Sequence, residues 1–268
     1  MSSKFKIIGN GAFGRALSYS LLKHGCLIDE VDYRYIIPAV PSYAVVDVLS
    51  DYCLDGRTVI FVSKGLMSDG RLLGEWANEN NIDWAVLAGP HFASEIIQGL
   101  DTFSVCGYEK EIKELKNVKN LNITFLKDKL AIQLLGVLKN IYAYFFGILH
   151  ALNVGKNFTS AFFLMIIQEI MNIFSDLRFE RDTIFSHAGL SDLFLTCTSY
   201  ESRNFQSGCN LIQDKEDIAL VESKHSIVLF EGRTNGKYPI CHFLYQVSQN
   251  LSKDIKSSLY NLAGKLNV

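Results

Sequence analysis

No pair of cysteines in this chain stands close in sequence. The six, Cys26, Cys53, Cys106, Cys197, Cys209 and Cys241, are scattered and form no CxxC. That spacing excludes a zinc ribbon or a dithiol motif and predicts no metal site. It also predicts reduced thiols in a cytosolic protein, packing as small hydrophobes. An excess of charge of one sign is missing too. Lys and Arg number 26 against 28 Asp and Glu, split as 13 against 15 up to Lys127 and 13 against 13 beyond it. Neither half carries the basic footprint of a nucleic-acid binder. No apolar h-region or cleavage site opens the chain, because Met1-Ser2-Ser3-Lys4-Phe5 leads straight into a strand-like run. The expectation is a cytoplasmic protein. Uninterrupted apolar runs of membrane-spanning length are absent as well. Leu130–Leu152 is broken by Gln133, Lys139, Asn140 and His150, and Phe158–Ile170 by Gln168 and Glu169. Buried helices of an all-α domain, with no membrane span, are the expectation for both. There is no internal repeat and no low-complexity segment. With 49% hydrophobic and 20% charged residues, the 268-residue chain has enough apolar content for a substantial core.

What is present organises itself around Gly9-Asn10-Gly11-Ala12-Phe13-Gly14. A strand-like run, Lys4–Ile8, precedes it, and Ala16, Leu17, Tyr19, Leu21 and Leu22 follow at amphipathic helical spacing. Strand, G-x-G-x-x-G turn and helix form the dinucleotide fingerprint. The first glycine permits the turn, the second lets backbone approach a pyrophosphate, and the third allows close helix–strand packing. The helix N-terminus then offers N–H groups to the phosphates.

Further along, Tyr33–Pro41 reads as a strand closed by its two prolines, Pro38 and Pro41, followed by a helix capped by Ser42. Thr58–Val62 is a strand ending in the polar tip Ser63-Lys64-Gly65, at the edge where open α/β sheets bind ligands. Leu72–Glu79 reads as a helix, and Trp84–Leu87, Thr102–Cys106 and Asn122–Phe125 as strands. The alternation predicts an α/β Rossmann-like domain with a doubly wound, mostly parallel sheet over residues 1–128. Helical periodicity dominates from Leu130, so residues 129–268 are expected to form an all-α domain, with Gln249–Val268 a loosely attached polar helix.

Two charged residues stand in apolar surroundings. Lys139 lies within Leu134–Phe146. Either it snorkels to the surface, or it is buried and paired, where it is equipped to act as a general acid/base. Asp192, in Gly189–Thr198, is either a helix N-cap or the partner of a buried lysine. Arg203 with Asn204 offers a donor fork and an amide suited to a phosphate.

In chain order, Gly9–Gly14, Ala39-Val40-Pro41-Ser42, Ser63-Lys64-Gly65, Gly89-Pro90-His91-Phe92-Ala93, Gly136-Val137-Leu138-Lys139-Asn140, Gly189–Thr198, Ser202-Arg203-Asn204 and Glu231-Gly232 resemble the bacterial NAD(P)-dependent glycerol-3-phosphate dehydrogenases, in a shortened form. The resemblance runs from Ile7 to about Leu251. It implies hydride transfer between NAD or NADP and carbon 2 of dihydroxyacetone phosphate or sn-glycerol 3-phosphate, supplying phospholipid synthesis, in a cleft between the two domains. It further implies Lys139 as the proton-exchanging catalytic residue, aided by Lys64 and Asp192. Gly89, His91, Ser202, Arg203 and Asn204 would contact substrate alongside them. Gly9, Gly11, Ala12, Phe13, Gly14, Lys64, Ala93, Arg203 and Glu231 would lie along the cofactor. A homodimer remains open.

Three features depart from that pattern. Cys26-Leu27-Ile28-Asp29 is too short for a second strand, crossover helix and return, so the seat of the adenosine ribose is expected to be missing. Asp29, Glu30 and Asp32 lie nearby without evident placement on it. His91 stands where the family has a small hydroxyl residue. Only Arg233–Tyr238 separate Glu231-Gly232 from Pro239-Ile240, where the family has a further helix. These losses leave a second reading, a non-catalytic nucleotide- or metabolite-binding relative with a degenerate adenosine site. A third, less favoured, is a sister dehydrogenase acting on another hydroxy acid.

Overall fold

The computed structural model describes residues 4–108, 112–217, 221–252 and 254–266. Met1-Ser2-Ser3 and the last two residues of the tail lie outside them. Seven strands form one sheet: β1 (Lys4–Ile8), β2 (Leu27–Ile28), β3 (Tyr35–Pro38), β4 (Thr58–Phe61), β5 (Asp83–Ala88), β6 (Ser104–Gly107) and β7 (Ile123–Leu126), in the order β2-β1-β3-β4-β5-β6-β7. All neighbours are parallel except β5 and β6. The central strands β3 and β4 are buried along their whole length, which is why they read as continuous apolar runs. Helices α1 (Ala12–Lys23), α2 (Val45–Leu49), α3 (Leu73–Glu79) and α4 (Ala93–Gln98) cover the sheet. On α1, Ala16, Leu17 and Leu21 face the core, whereas Tyr19 and Leu22, expected on that face, are exposed. Ser42 does not cap α2. A short 3₁₀ turn over Ser42–Ala44 precedes that helix, and the Ser42 hydroxyl donates instead to the Leu66 carbonyl at 2.8 Å.

The second strand corrects the sequence reading. Leu27–Ile28 does form a strand, the two-residue β2 at the sheet edge, paired with Lys4 and Phe5 of β1. No crossover helix is needed after it, because β3 starts where β2 stops: Tyr35 also pairs with Phe5. Residues 29–34 therefore step across the base of β1 without climbing the sheet. Their carboxylates pin that step. Asp29 accepts from the Val31 and Asp32 amides at 2.9 and 3.0 Å, Lys4 pairs with Asp29 and Asp32, and Lys6 pairs with Glu30.

The rest of the chain is helical: α5 (Lys129–Ala151), α6 (Lys156–Leu177), α7 (Asp192–Thr198), α8 (Arg203–Ile212), α9 (Glu222–Thr234), α10 (Pro239–Ser248) and α11 (Ile255–Leu266). The Asp128 carboxylate caps α5 by accepting from the Ala131 amide at 3.1 Å. From Ala131 to Leu149 every residue of α5 is buried, so this helix is the axis around which the others pack. Helix α8 lies against it backbone to backbone. A Cβ on Gly147 would strike the Phe205 carbonyl, and one on Gly208 the Tyr144 carbonyl. By length and composition both α5 and α6 could cross a membrane; α5 is enclosed by protein, but α6 leaves much of its surface open, with Leu164 exposed. The expectation of a buried helix therefore holds for α5 and only in part for α6. The C-terminal helix is better anchored than expected, since Leu259 of α11 is wholly buried with Leu262 and Ala263 beside it.

A lysine pair on one carboxylate: the candidate active site

The Gly loop is built as its sequence suggests. Gly9 has φ +108°, and a Cβ there would lie 2.5 Å from the Ala39 carbonyl oxygen; a Cβ on Gly14 would strike the Gly9 carbonyl. Around Gly11 nothing lies within 4 Å of the same probe position. No side chain caps α1, so its first amides are left for a ligand. Phe13, in the first turn, stacks on the His91 ring at 5.7 Å. That contact joins the loop to the segment after β5, which carries Gly89, His91 and, at the start of α4, Ala93.

The chemical centre forms where the tip after β4 meets α5 and α7. Lys64 donates to the Gly89 carbonyl at 2.8 Å and to Asp192 Oδ2 at 2.7 Å. Lys139 donates to Asp192 Oδ1 at 3.0 Å and to the Thr196 hydroxyl at 2.9 Å. Two ammonium groups thus share the two oxygens of one carboxylate whose side chain is 1% exposed. Of the two readings of Lys139, burial with pairing is the one realised, and Asp192 is its partner; the N-terminus of α7 is not capped by that side chain. Gly136, one turn before Lys139, leaves room for Lys64, since a Cβ there would come within 3.3 Å of its Cγ.

The charges shift one another in consistent directions. Burial lowers the Lys64 pKa to about 8; Asp192 pulls it up and the Lys139 charge pushes it down. Burial acts to raise Asp192, but Lys139 and Lys64 outweigh it and hold its carboxyl below the usual range. His91 is held neutral, its pKa lowered to about 3 by burial and by the charge of Lys64. Its Nε2 meets the Ser104 hydroxyl at 2.7 Å, and its buried Nδ1 has no partner among the described residues.

The remaining expected site residues divide into two groups. Ser202 caps α8, its hydroxyl accepting from the Phe205 amide at 3.3 Å, and Asn204 accepts from the Ser223 amide at the start of α9 at 3.1 Å. Arg203, between them, is exposed at the first position of α8. Glu231 is directed elsewhere: its Oε1 meets His242 Nδ1 of α10 at 2.6 Å, and its Oε2 is buried without a partner among the described residues. Of three further neighbours, Thr196 and Glu222 were not singled out from sequence, and Asn140, noted beside Lys139, was given no role in the site. Asn140 donates to the Lys64 carbonyl at 2.7 Å and to Glu222 Oε2 at 3.2 Å. Thr196 was legible in principle, four residues after Asp192 on one helix face. Glu222 carried no local signal, because its neighbours come from distant parts of the chain.

The model of the NAD-dependent glycerol-3-phosphate dehydrogenase N-terminus matches residues 29–113, and that of the C-terminus matches residues 128–257. A glycerol-3-phosphate dehydrogenase [NAD(P)+] of Tolumonas auensis is 30% identical, the match covering 80% of this chain and 71% of that protein. The chain belongs to the NAD-dependent glycerol-3-phosphate dehydrogenase family. The enzyme of the same name from Shewanella frigidimarina is 29% identical, over 92% of this chain and 91% of the relative. Among solved structures, glycerol-3-phosphate dehydrogenase of Coxiella burnetii superposes with a TM-score of 0.88 at 21% identity, covering 98% and 99% of the two chains. The 2-dehydropantoate 2-reductase of Methylococcus capsulatus gives 0.57 at 12% identity, covering 94% and 99%. The likeness in fold extends beyond the family. The family match in the N-terminal half begins at Asp29, just past the shortened edge.

Proposed function

We propose that this chain is an NAD(P)-dependent oxidoreductase that interconverts dihydroxyacetone phosphate and sn-glycerol 3-phosphate in the cytoplasm and supplies glycerol 3-phosphate for phospholipid synthesis. The observation that carries the reading is the convergence of Lys64 and Lys139 on Asp192, at the edge of the sheet that also bears the Gly loop. The open space at Gly11 and the uncapped start of α1 fit a pyrophosphate, with Gly9, Ala12, Phe13, Gly14 and Ala93 along the dinucleotide. A bound nicotinamide supplies the hydride in one direction and accepts it in the other. Lys139, held by Asp192 and Thr196, gives the proton to the C2 oxygen as the ketone is reduced and takes it back in the reverse reaction. Lys64 adds positive charge where the alkoxide develops, in a site largely closed to water. Asp192 holds and aims both ammonium groups. Arg203 takes the phosphate, oriented by the two helix ends that Ser202 and Asn204 fasten.

A non-catalytic binding relative is the weaker reading. Burying two ammonium groups on one carboxylate carries a desolvation cost of several kcal/mol per ion, and a protein that only held a nucleotide would have no use for it. The test is oxidation of NADH or NADPH by the purified protein on addition of dihydroxyacetone phosphate. Cofactor binding with no such turnover would sink the assignment and favour the binding relative.

A further inference from the structure

The loop that carries Lys64, residues 63–72, runs along the junction of the two domains. Leu66 and Leu72 are buried in the core of the helical domain, while Met67 and Leu73 belong to a core on one face of the sheet. Hydrogen bonds to backbone carbonyls fix its near end. Ser63 donates to the Val40 carbonyl at 2.6 Å, Asn140 to that of Lys64 at 2.7 Å and Ser42 to that of Leu66 at 2.8 Å. Beyond Leu66 the chain folds back: the Met67 amide donates to the Arg71 carbonyl and the Gly70 amide to the Met67 carbonyl, each at 2.9 Å. The far end is held by an ion pair. Arg233, in the last turn of α9, donates from Nη1 to the Gly70 carbonyl at 3.0 Å. Its two Nη groups also take both oxygens of Glu75, at 2.9 Å each. Glu75 in turn accepts from the Leu72 amide at 2.6 Å and so fastens the start of α3.

A bidentate pair fixes direction as well as distance, because both N–H···O bonds must form together. Arg71, much nearer in sequence, is engaged by Asp69 and Glu79, which leaves Glu75 to Arg233. Burial acts to raise the Glu75 carboxyl, but Arg233 and the Leu72 amide outweigh it and keep it below the ordinary range. We propose that Arg233 is a positioning residue for the reaction: by clamping Gly70 and Glu75 to α9, it holds the far end of the loop so that Lys64 stays aimed at Asp192. The inference rests on the dehydrogenase reading and deepens it. Arg233 acts through the loop and not on the reacting atoms. A misplacement of about 1 Å at a catalytic group can cost about 10²-fold. The loop keeps its apolar anchors Leu66 and Leu72 without the clamp, so the expected loss is smaller than that.

The test is a double-mutant cycle between Arg233→Ala and Lys64→Ala in dihydroxyacetone phosphate reduction, beside amide hydrogen exchange of the loop in the full chain. Arg233→Ala is expected to lower kcat about tenfold and to change KM for the reduced cofactor by less than about twofold. Added to Lys64→Ala, the same substitution should change kcat by less than about twofold, because the group it positions is gone. Arg233→Lys, which keeps the charge without the fork, should recover part of the loss. Glu75→Gln keeps an oxygen for the Leu72 amide and breaks the ion pair, so it should repeat the loss should Arg233→Ala fold poorly. Exchange at the Met67 and Gly70 amides should be about fivefold faster in either variant, as for a loosened local unit. Equal losses of kcat with and without Lys64 would mean a general structural role and overturn the proposal. Unchanged exchange would overturn it as well. A wild-type protein without turnover would sink the dehydrogenase reading, and the exchange result would still decide whether Arg233 clamps this loop.

Discussion

The two ends of the binding groove are built to different standards. At the catalytic end, Lys64, Lys139, Asp192, Thr196 and Asn140 are mutually bonded, and all but Lys64 are nearly inaccessible. At the adenosine end, the sheet stops with a two-residue strand, and the acidic residues after it serve the lysines of β1. Asp29 follows the residue paired with Phe5, whereas the Gly loop begins at Gly9, about 10 Å further along the strand direction at about 3.3 Å per residue. Its carboxyl is held at about 2 by the Val31 and Asp32 amides and by Lys4, so it remains an anion committed to its own loop. The contrast says which part of a two-part site tolerates shortening. Removing a crossover unit at a sheet edge deletes surface, while removing any member of a buried charge cluster leaves the others uncompensated.

The largest effect should come from the catalytic end. Lys139→Ala is expected to lower kcat for dihydroxyacetone phosphate reduction by about 10³-fold, within the range for loss of a positioned general acid. Equal rates in the two proteins would remove Lys139 from the mechanism. Asp192→Asn should cost both activity and stability, because two buried ammonium groups lose their anion. Breaking such a pair costs about 3–5 kcal/mol, visible as a lower midpoint in urea, and an unchanged midpoint would mean that the cluster is more hydrated than its geometry indicates. A more moderate effect follows from Lys64, whose pKa is lowered to about 8. The charged form is the one that stabilises the alkoxide, so kcat/KM is expected to fall as pH rises through about 8. Lys64→Arg, which stays charged, should move that limb to higher pH or abolish it. Smallest of all, Glu30→Gln at the shortened edge should change the ratio of kcat/KM for NADH and NADPH by less than about fivefold, as for a surface pair worth about 1 kcal/mol or less. A tenfold change would show that the edge reads the adenosine ribose after all and would erase the contrast drawn above.

Not every expected site residue joined the site. Glu231 was expected along the cofactor; in the structure it pairs with His242 of α10. It lies nine residues after Glu222 on α9, half a turn round the helix at 3.6 residues per turn, so the two carboxylates face opposite ways. Ser202 and Asn204 reach the site through the helix ends they cap, a role that a three-residue motif does not distinguish from direct contact.

From the sequence alone came what local periodicity and backbone sterics dictate. The Gly loop between strand and helix, the mostly parallel sheet, the change to helices after Lys129 and the anomaly of a lysine in an apolar helix all rest on residues within a few turns of one another. Two things were decided only by the tertiary structure. One is the meeting of Lys64, Lys139 and Asp192, drawn together across 128 and 53 positions because none can be buried without the others. The other is the fate of the edge. Whether residues 27–34 hold a strand depends on where β3 begins to pair with β1, and a register between strands is not written in either strand alone.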